Sequence, residues 1–150
     1  MEHGVEALRD LFRTIARDMG LFDKSEATCC GVTTAQNRTI LELGYGGTVS
    51  LLDLAERLGV DKSTMSRTVD HLVRARLVER KQDRENRRYV KVSLSEQGEA
   101  IFREIDGKLS RYYEAILSAI PEEKREQVQQ STLLLAEAME RVTCCESCDE

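Results

Sequence analysis

Apolar residues near the start of the chain recur at steps of three and four. Val5, Leu8, Leu11, Phe12, Ile15 and Met19 make one stripe of a helix. Gly20 reads as its end, and a polar stretch from Asp23 to Thr28 leads to Cys29, Cys30 and Gly31. A second helix starts near Thr33 or Thr34, turns Ile40 and Leu43 inward and stops at Gly44. Gly44, Tyr45, Gly46 and Gly47 are expected to form a loop, because three glycines in four residues forfeit too much backbone entropy for a helix.

Thr48, Val49 and Ser50 suit a very short strand. Leu51, Leu54, Ala55 and Leu58 then give a compact helix ended by Gly59. Asp61 or Ser63 caps the next helix. At about 100° per residue its apolar members Met65, Val69, Leu72 and Val73 share one sector, while Ser63, Thr64, Arg67, Asp70, His71 and Arg74 gather opposite. Asp70 there is expected to orient a neighbouring basic side chain rather than meet phosphate.

Two β segments follow, Leu77 to Gln82 and Tyr89 to Leu94, and the all-polar run from Asp83 to Arg88 reads as the tip of their hairpin. A long helix starts near Ser95 with Ile101, Phe102, Ile105, Leu109, Tyr112, Tyr113, Ile116, Leu117 and Ile120 on its buried side. Pro121 ends it and suits the first turn of a last helix, which turns Val128, Leu134, Leu135, Ala138, Met139 and Val142 inward.

Helix, tight glycine turn, helix and basic hairpin is the layout of a winged helix-turn-helix. The second helix must offer short polar and basic groups to base edges while an apolar back fixes it to the domain. Ser63, Thr64, Arg67, His71 and Arg74 supply that face. Arg84, Arg87 and Arg88 at the hairpin tip can reach the adjacent backbone or minor groove. In isolation a mixed-charge face is usually just a solvated surface; its neighbours on either side are what turn it toward DNA.

Composition sharpens this picture. The 150 residues are 41% hydrophobic and 33% charged with one proline, as expected of a helix-rich globular protein. No apolar run approaches the roughly 20 residues of a membrane span, and no signal peptide is visible, so a cytoplasmic protein without membrane contacts is expected. The net charge of −5 hides an asymmetry: Asp61 to Lys91 holds ten basic and five acidic side chains, the remainder twelve and twenty-two. A polyanion is tolerated only at the first of these.

The run Leu54-Ala55-Glu56-Arg57-Leu58-Gly59-Val60-Asp61-Lys62-Ser63-Thr64-Met65-Ser66-Arg67 resembles the MarR (multiple antibiotic resistance regulator) family of transcription factors. So do Leu77 to Arg80, Asp83 to Arg88 and Val92 to Gly98. The resemblance implies a mainly α fold with a small β-hairpin wing (α+β), a winged helix-turn-helix at about 33–95 and dimerisation helices at about 4–22 and 96–143. The chain, 1–150, is then one domain, and two copies form a homodimer on a roughly palindromic duplex operator. The family's recognition role falls on Ser63, Thr64 and Arg67, and its wing role on Asp83, Arg87 and Arg88. Asn86 stands where members commonly carry an aspartate.

The family does not require cysteine, yet this chain has five: Cys29, Cys30, Cys144, Cys145 and Cys148. The odd number and the clustering fit reduced thiols rather than a disulfide framework. In the resembled dimer the terminal helices pack together, which would let the two groups meet. Converging thiolates without histidine select a thiophilic metal or metalloid: Zn(II), Cd(II), Hg(II), Cu(I) or trivalent arsenic. The expectation is a repressor released from its operator when such an ion binds these cysteines. Its rivals are a thiol-based oxidant sensor, an iron–sulfur protein, whose usual ligand spacings are not matched, and a repressor that answers a small aromatic ligand with the cysteines idle. An activator in place of a repressor also stays open. An enzyme is not expected: the two histidines, His3 and His71, sit in no acid–base arrangement, and Cys145-Glu146-Ser147-Cys148 follows a helix rather than opening one after a strand.

Overall fold

The structure, a computed structural model, describes residues 2–82 and 90–142, with the side chains of 4–20, 30–82 and 90–142. In chain order come α1 (Glu2–Cys29), α2 (Thr34–Gly46), β1 (Val49–Ser50), α3 (Leu51–Arg57), α4 (Lys62–Arg74), β2 (Val78–Gln82), β3 (Val90–Leu94), α5 (Glu96–Ala119) and α6 (Glu122–Arg141). The chain divides into two compact units, one ending at Lys108 and the other beginning at Leu109. It is mainly helical with one small antiparallel sheet, the winged helix-turn-helix expected from the sequence.

In the first unit, α2 opens with a reciprocal cap: Gln36 N–H donates to Thr33 Oγ1 at 3.2 Å, and Thr33 N–H to Gln36 Oε1 at 2.9 Å. Ser50 caps α3 through Asp53 N–H at 3.0 Å. The sheet has the order β1-β3-β2, with Val49 opposite Val92 and a five-pair ladder from Val78–Leu94 to Gln82–Val90. Ile40, Leu43, Leu54, Met65, Val69, Leu72, Val78, Val92 and Ile105 close one core between these elements.

Ser95 joins the turn after α4 to the start of α5. Its hydroxyl donates to the Arg76 carbonyl at 2.6 Å and accepts Gly98 N–H at 3.0 Å, while its own N–H donates to the Leu77 carbonyl at 3.0 Å. A β-carbon on Gly98 would run into that same carbonyl. Arg76 itself sits at φ 61°, in the left-handed region.

Four expectations need correcting. The first helix does not end at Gly20 or at residue 22 but continues to Cys29: one interior glycine weakens a helix by only about 1 kcal/mol, and no proline follows to stop it. Gly44, Tyr45 and Gly46 are helical, and the reversal comes at Gly47, φ 69°. Gly44 serves close approach rather than looseness, because a β-carbon there would overlap the Phe102 ring. Phe102 meets Tyr45 edge-on at 5.3 Å, and the Tyr45 hydroxyl donates to Asp106.

The remaining two concern apolar faces. The C-terminal half of α5 leaves Tyr113 and Ile116 exposed rather than buried. In the second unit, α6 buries none of its residues; Val128, Leu134, Ala138, Met139 and Val142 lie exposed and Leu135 half-covered. Val5, Leu8, Leu11, Ile15 and Met19 of α1 are equally uncovered. Among the described residues nothing covers these stripes, and exposed apolar surface of this kind marks an interaction face. At the α5–α6 junction Arg125 Nε donates to the Leu117 and Ile120 carbonyls at 2.9 and 3.1 Å, satisfying the end of α5. Among the described residues no helix is long and apolar enough to cross a membrane.

Candidate nucleic-acid interface

Helix α4 is built to be held from behind. Met65, Val69 and Leu72 are buried, with Val73 half-buried beside them, and Ser63, Arg67, His71 and Arg74 are exposed on the other side with Thr64 partly so. Its N-cap is Asp61, whose Oδ1 accepts Thr64 N–H at 2.9 Å. The same carboxylate also accepts both hydroxyls of the first turn, Ser63 Oγ at 2.5 Å and Thr64 Oγ1 at 2.6 Å. Those donors, the Ser63 hydroxyl foremost, then the Thr64 hydroxyl and N–H, hold the Asp61 carboxyl far below the usual carboxylate range. Arg67 Nη2 in turn donates to Thr64 Oγ1 at 3.3 Å. Lys62, Ser63, Ser66 and Arg67 line an open concavity over this turn.

Strand β2 is tied to α4 by Arg80. Its Nη1 donates to Asp70 Oδ1 and its Nη2 to Ser66 Oγ at 3.0 Å, while its Nε is buried without a hydrogen-bond partner. Asp70 therefore orients a basic side chain, that of Arg80. Sequence reasoning missed Arg80 itself, although a signal existed: Arg80 lies two residues from buried Val78, on the strand face turned toward the helix. A cation placed there demands a partner. The wing-tip candidates Asp83, Arg84, Arg87 and Arg88, with Asn86, lie outside the described residues.

Of the five cysteines, Cys30 alone has a described side chain. Its half-buried Sγ accepts from Lys108 Nζ at 3.4 Å and lies 3.7 Å from Glu104 Oε1, with Lys108 and Glu104 paired at 2.9 Å. Hydrogen bonding and charge from Lys108 hold the Glu104 carboxyl below its ordinary value, with a smaller contribution from Cys30. Cys29 ends α1; its side chain, and Cys144, Cys145 and Cys148, lie outside the described residues. Among the described residues no group of three or more His, Cys, Asp or Glu is placed to hold a metal. Behind α4 lies a mostly apolar cavity of about 270 Å³, lined by Thr34, Arg38, Leu58, Val60, Met65 and Thr68 among others.

Residues 31–88 match the MarR family. The chain is 30% identical over 110 residues, 73% of its length and 71% of the relative's, to the HTH-type transcriptional repressor MdtR of Bacillus subtilis (strain 168). Its fold superposes on a MarR family protein from Bacillus stearothermophilus with a TM-score of 0.85 and 25% identity, covering 93% of this chain and 97% of the other. It also superposes on Streptococcus pneumoniae FabT, solved in complex with DNA, with a TM-score of 0.80 and 19% identity over 92% and 99% of the two chains.

Proposed function

The chain belongs to the MarR family of DNA-binding transcriptional regulators, not enzymes, and from that premise we propose that it is a homodimeric repressor of a roughly palindromic operator. One observation carries the DNA reading: α4 presents Ser63, Thr64, Arg67, His71 and Arg74 on a face whose back is locked by Met65, Val69 and Leu72. The wing residues Asp83, Arg84, Arg87 and Arg88 complete the contact at the neighbouring phosphates or minor groove. Two copies join through the uncovered apolar stripes of α1, α5 and α6. Repression is read from MdtR, and duplex binding is supported by the FabT complex. The protein acts in the cytoplasm, on the chromosome.

The effector is a thiophilic metal or metalloid held by Cys29, Cys30, Cys144, Cys145 and Cys148, since an all-thiolate set without histidine suits soft ions. A second reading, oxidant sensing, is favoured by the ammonium of Lys108 against the Cys30 sulfur, because a neighbouring cation stabilises the reactive thiolate. A third, a small aromatic effector with the cysteines idle, draws on the cavity behind α4.

One titration separates them. Reduced protein is bound to its own upstream DNA, and Zn(II), Cu(I), trivalent arsenic, peroxide and a small aromatic acid are added in parallel. Release by a metal or metalloid, lost when Cys144, Cys145 and Cys148 are all changed to serine, is the expected result. Release by peroxide alone moves the reading to oxidation, and release by the aromatic acid alone to the cavity. Binding that fails to weaken with rising salt overturns the DNA reading itself.

A further inference from the structure

A serine hydroxyl has one proton to give and two lone pairs to offer, so by itself it reads no particular base. Ser63 is no longer so ambiguous. Its proton is committed to Asp61 Oδ1, and what the exposed oxygen turns outward is acceptor capacity only. The commitment is firm because Asp61 is itself fixed by Thr64 N–H and Thr64 Oγ1. It stays ionised at any working pH, since those same donors keep its carboxyl far below the usual range. Thr64 has donated its proton to the same carboxylate and already accepts Arg67, and Ser66 accepts Arg80.

An outward acceptor backed by a carboxylate calls for a donor on the base edge. Two bases place an amino group in the major groove. Adenine sets its N6 amino group beside the N7 lone pair, whereas cytosine sets its N4 amino group beside an apolar C5–H. The negative charge of Asp61 repels N7 and leaves the cytosine edge unopposed. We propose that the Asp61–Ser63 pair is a specificity device, in which Ser63 Oγ accepts from the N4 amino group of one cytosine in each operator half-site. The proposal rests on α4 entering the major groove.

The test selects binding sites from a random duplex pool with the full-length protein, its Ser63→Ala variant and its Asp61→Asn variant. It then measures binding of the selected site with that cytosine changed. The wild type should demand cytosine at one position per half-site and lose roughly tenfold or more in affinity when thymine replaces it, since O4 of thymine is an acceptor. Ser63→Ala should bind both sites within about twofold of each other while keeping the wild-type salt slope, which a misfolded α4 would not give. Asp61→Asn keeps a good N-cap but offers an amide in place of the carboxylate, so thymine or guanine should become acceptable there. A wild-type motif without an obligatory cytosine, or a Ser63→Ala motif identical to it, overturns the proposal and leaves the DNA reading intact. Failure of the wild type to select any motif removes the DNA reading first.

Discussion

Arg80 on β2 and Asp70 on α4 are joined by a direct ion pair, with Ser66 one turn earlier accepting the other arm of the same guanidinium. The side chains are 29% and 45% exposed, so solvent screens the pair and its own worth to stability is modest, about 1 kcal/mol. Its larger role is geometric, because it sets the wing strand against the recognition helix. Arg80→Ala should lower urea stability by about that amount. It should also weaken operator binding about tenfold, through loss of wing contacts while the bases chosen by α4 stay the same. Footprinting of the variant checks this; unchanged protection beside the major-groove site would show that the wing needs no tether.

Arg67 stands exposed on α4 and is braced by Thr64, and the proposed function sets it at a base edge. Arg67→Ala should cost roughly 1–3 kcal/mol of operator affinity and relax the base preference at one position. Gel-shift titrations on single-base operator variants measure both. A loss spread evenly over all sequences would place Arg67 on phosphate instead.

The Asp61 carboxyl titrates below the ordinary value of 3.8 that it has when unfolded. A depressed folded-state pKa contributes stability that is present above the unfolded value and is lost as pH falls through the folded one. The first turn of α4 should therefore survive acidification to pH 4 and give way only in stronger acid. Carbon-detected NMR of the aspartates reads the midpoint directly. Asp61→Ala should lower the melting temperature, with Asp61→Asn recovering most of the loss.

Cys30 lies between an amine and an acid, and the two act oppositely on its sulfur. Alkylation by iodoacetamide at neutral pH should slow several-fold in Lys108→Gln and quicken in Glu104→Gln. Peptide mapping assigns the rate to Cys30. Equal rates in all three proteins would remove the thiol from the oxidant reading.

Two backbone positions test the packing. Gly98→Ala forces a methyl group onto the Leu77 carbonyl and should destabilise by roughly 1–3 kcal/mol. Arg76→Gly relieves a left-handed backbone and should stabilise by roughly 0.5–1 kcal/mol. Denaturant titration ranks both against the parent. At the uncovered faces, Leu8 is 44% and Leu134 66% exposed in one chain. Leu8→Glu and Leu134→Glu should each shift sedimentation from dimer toward monomer without loss of helix content.

Much of this was legible in advance because local periodicity and local burial coincide around α4. Met65, Val69 and Leu72 repeat at helical spacing and are buried within the same chain. The strands of the wing alternate for the same reason. Periodicity says that a stripe wants cover, but not which chain provides it, so the stripes of α1 and α6 looked the same as buried ones. Gly20 and Gly44 read as stops because sequence alone does not separate a glycine used for freedom from one that merely permits a close neighbour such as Phe102. Arg80 reaches back 10 and 14 positions to Asp70 and Ser66, and Lys108 reaches back 78 to Cys30, and no short window reveals such partners.

Ser95 has a mechanical consequence. With its hydroxyl shared between the Arg76 carbonyl and the Gly98 amide, and no room at Gly98 for a cushion, the head of α5 is bolted to the turn that follows α4. The first turn of α5 and the turn that follows α4 therefore share one rivet, and neither can be displaced without straining the other.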